Sequence, residues 1–137
     1  VPPPTLHVPK PVLGQWDRDR IEQVVLNLLT NAIRYGLGKP VHVSIHAIPG
    51  GVRLAVRDHG KGVPPEHRER IFDRFERLGD GGAVRGLGLG LFITKQIVHA
   101  HHGRIYVEAP EGGGSRFVVE LPCTAPERSC TEETHSP

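Results

Sequence analysis

Between Ile33 and Val41 the apolar residues of this chain change period, and that switch limits the folds open to it. Before it, Ile21, Val24, Val25, Leu28, Leu29, Ala32 and Ile33 recur at i, i+3, i+4 and i+7 spacing, which predicts a helix with one apolar face. Asp17 or Asp19 is available as its N-cap, Glu22 follows Asp19 at capping-box spacing, and Gly36 and Gly38 close it. After the switch, Val41, Val43, Ile45 and Ala47 alternate with His42, Ser44 and His46. Pro49-Gly50-Gly51 then turns the chain, and Val52, Leu54 and Val56 alternate with Arg53, Ala55 and Arg57. Such alternation predicts a β-hairpin with one buried face. A one-faced helix and a one-faced hairpin bury their apolar sides against each other. The expected fold class is therefore α/β: a two-layer α/β sandwich with a mixed, mostly antiparallel sheet and about three helices on one face.

The flanking segments fit around that nucleus. Residues 1–11 carry five prolines and read as a linker with one edge strand. Val12 to Trp16 is expected to be a short strand, and Pro64 to Phe75 a short helix with Pro65 in its first turn. A second long helix is expected over 88–102, with Gly103 as its C-cap. Strands over 104–108 and 115–121, joined through Pro110-Glu111-Gly112-Gly113-Gly114, complete the sheet. The domain is thus placed at 12–122, and the polar tail 123–137 is expected to be disordered.

Composition removes several function classes. Length 137 suits one domain; 37% hydrophobic and 23% charged residues suit a globular chain. A formal charge of +2, with both signs interspersed, gives no nucleic-acid footprint. No apolar run approaches the roughly 18 residues of a membrane span, and no signal peptide opens the chain. The chain starts abruptly, as a piece of a longer protein would, so a membrane anchor in the parent stays open. Cys123 and Cys130 lack the second close pair a zinc site wants and read as free thiols, consistent with a cytoplasmic setting.

Three motifs carry chemistry. On the first helix, residues four apart differ by only about 40° around the axis, so Asn27, Asn31 and Arg34 form a polar stripe, with Tyr35 between it and the apolar face. Asparagine is a poor helix former, while its side-chain oxygen suits Mg²⁺ and an arginine suits phosphate; a plain solvated face is the competing reading. Asp58 shares parity with Val52, Leu54 and Val56, so its carboxylate points to the buried side and needs a donor there. An adenine amine would serve, with Gly60 and Gly62 permitting close backbone approach; a turn-organising aspartate is the alternative. Gly86-Leu87-Gly88-Leu89-Gly90 opens directly into a helix, where bare backbone N–H groups can cradle phosphate. It matches neither the dinucleotide fingerprint nor a P-loop.

In this order the motifs resemble the N, G1 and G2 boxes of the histidine-kinase branch of the Bergerat-fold ATPases, the superfamily of gyrase, Hsp90 and MutL. Asn27-Leu28-Leu29-Thr30-Asn31-Ala32 looks like the N box, and Ile71-Phe72-Asp73-Arg74-Phe75-Glu76-Arg77 like the F box typical of histidine kinases. The resemblance implies ATP and Mg²⁺ as cofactors. Asn31, helped by Asn27, would hold the metal; Arg34 and Tyr35 would face the phosphates, and Asp58 the adenine amine. Ser115 matches a hydroxyl position near the adenine. Arg85, with Gly86, Leu87, Gly88, Leu89 and Gly90, would lie along the phosphates, next to a lid over 76–85 under which Phe75 would pack. Where gyrase-type ATPases place a water-activating glutamate, this chain has Asn27, which points to transfer rather than hydrolysis.

The implied function is that of the ATP-binding catalytic domain of a two-component sensor histidine kinase. It would transfer the γ-phosphoryl to a histidine on a separate dimerisation domain of the same kinase, which then serves a response regulator. None of the nine histidines here is followed by an acidic residue, as that acceptor would be. The acceptor is therefore expected outside this chain, and the chain itself to be a monomer. His99, His101 and His102 read as helix-end residues rather than metal ligands. The alternatives are an anti-sigma-factor-type serine kinase and a non-catalytic nucleotide-binding module.

Overall fold

The computed structural model describes residues 5–7, 16–73 and 90–122. The 18-residue helix α1 (Arg18–Tyr35) is followed by strands β2 (His42–Ile48) and β3 (Gly51–Asp58), after a short strand β1 (Thr5–His7). Two 3₁₀ turns, Pro65–His67 and Arg70–Phe72, precede helix α2 (Gly90–Ala100), and β4 (Arg104–Glu108) and β5 (Ser115–Pro122) finish the sheet. The order across the sheet is β1-β2-β3-β5-β4, with β1 parallel to β2 and every other pair antiparallel.

Register explains the two layers. Val43 pairs with Val56, Val56 with Phe117, Leu54 with Val119, and Val107 with Phe117, so one face of the sheet is apolar from β2 to β4. Val24, Leu28 and Ala32 of α1 and Ile97 and Val98 of α2 bury against it. Leu28 is fully buried, and truncating such a leucine to alanine costs about 2–5 kcal/mol. The alternation fades toward the hairpin turn: Ile45 is half-buried and Ala47 exposed.

Local signals differ from the sequence reading in three places. Asp17 is the N-cap of α1, its Oδ1 accepting from the Arg20 N–H at 3.2 Å. Asp19 lies inside the first turn, so no capping box forms; Glu22 instead meets Arg18 at 4.0 Å, both exposed. The helix expected from Pro64 is broken into the two 3₁₀ turns. Positions 66–70 are Glu, His, Arg, Glu and Arg, which give an α-helix no apolar stripe to bury. The short turns place Ile71 and Phe72 side by side in the core, where Phe72 meets Phe117 edge-on at 6.1 Å.

The end of α2 is the third. His102, not Gly103, takes the left-handed conformation (φ 64°). The Gly103 N–H donates to Val98 O and the His102 N–H to His99 O, both at 2.9 Å, which is a Schellman termination. Gly103 is required one residue later, because a Cβ there would lie 2.2 Å from Glu120 O on β5. His101 bridges the helices: its Nδ1 donates to Ile97 O at 2.9 Å and its Nε2 accepts from the Asp17 N–H at 3.1 Å. No group of three or more metal-ligating side chains occurs among the described residues. No helix there is long and apolar enough to cross a membrane. Val12–Gln15 and the tail 123–137, with both cysteines, lie outside the described residues; Trp16 belongs to no strand and donates from Nε1 to Pro122 O at 3.0 Å.

Candidate nucleotide site

Three backbone segments meet at the C-terminal end of α1. Asp58, the last residue of β3, is 2% exposed, and its partner across the sheet is Ser115, the first of β5. The Ser115 hydroxyl donates to Asp58 Oδ2 and the Gly60 N–H to Asp58 Oδ1, both at 2.8 Å. Asp58 faces the buried side, as its parity with Val52, Leu54 and Val56 predicts. Two neutral donors already satisfy the carboxylate. Its two oxygens carry about four acceptor sites, so capacity for a further donor remains.

The glycines of this region serve the same convergence. A Cβ on Gly60 would lie 2.0 Å from Tyr35 O, and one on Gly114 (φ 79°) 2.0 Å from Asp58 O. Gly62 (φ 82°) faces Gly114 O at 2.8 Å in the same sense. The close approach at Gly60 and Gly62 is to the protein's own backbone, at the end of α1 and at the turn before β5. Gly114 was not singled out from the sequence; as the third glycine of a turn it carried no separate signal. Arg57 holds that turn by donating from Nη2 to Glu111 O at 2.8 Å and Gly113 O at 3.2 Å. Its Nε is buried without a partner among the described residues.

A second polar group lies further back along α1. Asn27 donates from Nδ2 to Thr94 Oγ1 at 3.1 Å and, at a longer 3.4 Å, to Gly90 O. The Thr94 hydroxyl in turn donates to Gly90 O at 2.8 Å, and Thr94 is fully buried. Thr94 was missed by sequence reasoning, although it is the polar residue on the stripe Leu91, Thr94, Val98. Asn27 and Tyr35 are eight residues apart, about 12 Å along the axis at the usual helical rise. Asn31 stands half-buried between them and Arg34 exposed in the last turn. Gly90 is the first residue of α2. Arg85, Gly86, Leu87, Gly88 and Leu89, together with Phe75 and the expected lid, lie outside the described residues.

The opposite face of the sheet carries charge. Glu120 accepts from Arg104 Nε at 2.8 Å, Arg53 Nε at 3.0 Å and the Tyr106 hydroxyl at 3.1 Å. The hydrogen bond from Arg104, with those from Arg53 and Tyr106, lowers the Glu120 carboxyl below its ordinary range against the opposing effect of burial. Burial, then the bond to Glu120, pushes the Tyr106 phenol up.

Residues 16–125 match the family model described as histidine kinase-, DNA gyrase B- and HSP90-like ATPases. The chain belongs to that family. It is 40% identical over 126 residues to the sensor histidine kinase TmoS of Ectopseudomonas mendocina, covering 88% of this chain and 13% of that protein. It is 38% identical over 118 residues to the sensor protein kinase WalK of Staphylococcus epidermidis, covering 82% of this chain and 19% of that protein. The chain thus spans a minor part of these relatives.

Among solved structures, a mycobacterial sensor histidine kinase, MprB, superposes with a TM-score of 0.77 at 33% identity, over 88% of this chain and 80% of that one. Full-length ShkA, solved in complex with AMPPNP, gives 0.73 at 33% identity, over 91% of this chain and 27% of that one. The fold is that of the histidine-kinase ATP-binding domains, and the chain is a histidine-kinase-type ATPase domain.

Proposed function

We propose that this domain binds Mg-ATP along α1 and passes the γ-phosphoryl to a histidine on a separate dimerisation domain of a two-component sensor kinase. The observation that carries the reading is the pair of polar groups set along one helix, one at its C-terminal end and one at its middle. Asp58 and Ser115 lie beside Tyr35, and Asn27 lies about 12 Å away along α1, a separation that a nucleoside triphosphate can span. That ShkA was solved with an ATP analogue supports the same reading.

Asp58 accepts a hydrogen bond from the adenine amine with its remaining acceptor capacity, and Ser115 and Gly60 hold the carboxylate in place for it. Asn27 and Asn31 would hold Mg²⁺: carboxamide oxygens suit a hard cation that also leans on substrate phosphates. The ion, when bound, neutralises phosphate charge. Arg34, Tyr35 and Arg85, with the glycine-rich segment from Gly86 to Gly90, would meet the phosphates. Asn27 cannot take a proton from water, so the domain positions the γ-phosphoryl for another acceptor rather than for hydrolysis. The catalytic unit is placed at 12–122, with the strand from 1–11 completing the sheet edge. The parent kinase works in the cytoplasm, with or without a membrane anchor, and serves a response regulator.

Mixing the chain with the phosphoacceptor domain of its parent kinase and γ-labelled ATP tests this. Acid-labile, alkali-stable label on that domain is the expected result. Acid-stable label would assign a serine acceptor instead, and ATP binding without any transfer would leave a nucleotide-binding module.

A further inference from the structure

We propose that Thr94 is a positioning residue for Asn27, fixing which atom of its carboxamide is offered to the cation. The inference rests on the reading of Asn27 as a Mg²⁺-facing side chain and adds how that side chain is held. A carboxamide presents an acceptor on one side and a donor on the other, and the two orientations are similar in shape. Only the hydrogen-bond surroundings choose between them.

Here the surroundings decide. The carbonyl of Gly90 only accepts. The Thr94 hydroxyl spends its single proton on that same carbonyl at 2.8 Å, so towards Asn27 it offers only lone pairs. Both neighbours of the Asn27 carboxamide on the α2 side are therefore acceptors, at 3.1 and 3.4 Å from Nδ2. The reversed amide would set Oδ1 against the Gly90 carbonyl and could be met by Thr94 only if its hydroxyl gave up the 2.8 Å bond to that carbonyl. Nδ2 is thus held towards the first turn of α2, and Oδ1 is turned away from it.

The position of Thr94 supports a dedicated role. It is fully buried on the same side of α2 as Ile97 and Val98, where a valine of nearly the same shape would leave no polar group to satisfy. A hydroxyl there is useful because it orients a partner. The partner lies on a different helix, 67 residues away in sequence. Groups that hold a metal ligand through its far side commonly change metal affinity by about 10–100-fold when removed.

The test compares wild type, Thr94→Val and Thr94→Ser in calorimetric titrations of AMPPNP, each with and without Mg²⁺. Wild type gains affinity from Mg²⁺. Thr94→Val is expected to lose about tenfold of that gain or more while its Mg²⁺-free affinity stays within about twofold and its melting temperature near that of wild type. Thr94→Ser, which keeps the hydroxyl, is expected to keep the gain. A Thr94→Val protein with the full Mg²⁺ gain overturns the inference alone. Equal losses with and without Mg²⁺ also overturn it, showing a purely structural residue. A wild type with no Mg²⁺ gain overturns the cation reading of Asn27 and the inference with it. Should Thr94→Val fail to fold, side-chain amide exchange in the wild-type protein decides: the Asn27 Nδ2 protons are expected to exchange more slowly than those of Asn31, and equal rates would overturn the proposal.

Discussion

On one face of β5, Ser115 gives its proton to Asp58 in a layer closed to water; on the other, Glu120 gathers two arginines and a tyrosine at the surface. Both are carboxylates bound by cross-strand neighbours, yet they differ in what holds them. Among the described residues Asp58 is buried and bonded by neutral donors alone, so each bond replaces water that cannot return. The Glu120 side chain keeps 14% of its exposure, and its partners Arg53 and Arg104 keep 46% and 69%, so solvent screens much of the attraction. Buried neutral bonding fixes a carboxylate in place with acceptor capacity to spare. Surface ion pairing ties strands together and leaves the carboxylate occupied by cationic partners.

The largest effect expected from that contrast is at Asp58. Asp58→Ala should lower affinity for an ATP analogue by about a hundredfold or more, as expected where a site built around a hydrogen bond loses it; calorimetry would show it. Leaving the Ser115 hydroxyl and Gly60 N–H without their acceptor should also cost about 1–3 kcal/mol in denaturant unfolding. Ser115→Ala comes next. It removes one donor from a buried carboxylate, for an expected loss of about 1–2 kcal/mol, with weaker nucleotide binding but no change in selectivity.

Glu120→Gln is the control on the other face: an expected loss of about 1 kcal/mol or less, shrinking with added salt, and unchanged nucleotide affinity. Its pH dependence has a definite sign. Because the folded carboxyl titrates below its unfolded value, its stabilisation is present above the unfolded value and is lost as pH falls through the folded one. The stability difference between wild type and Glu120→Gln should therefore close on acidification. A constant difference down to low pH would mean that the arginines contribute nothing through charge.

The same contrast shows what a sequence displays. Periods display faces, so α1, the β2–β3 hairpin and the inward aim of Asp58 were all legible from spacing. Register is not displayed: nothing in the order of residues pairs Ser115 with Asp58 or gathers Arg53, Arg104 and Tyr106 around Glu120. Thr94 was hidden differently, as one polar residue on an apolar stripe whose partner Asn27 lies on another helix. Gly103 misled because a glycine after a helix reads as a cap, whereas this one makes room for Glu120 O and leaves the left-handed turn to His102. The broken segment after Pro64 was misjudged because its proline suited a helix start while its charged run gave no apolar stripe.

The central claim is that the buried carboxylate of Asp58 reads the amine of adenine. Titrating the wild-type domain with Mg²⁺ and the triphosphates of adenosine and inosine, which differ in carrying an amine or a carbonyl at that ring position, tests it most directly. The account predicts binding of the adenosine nucleotide and a loss of about a hundredfold or more for the inosine one. Equal affinities would contradict it, and would reduce Asp58 to a residue that only holds β3 to β5.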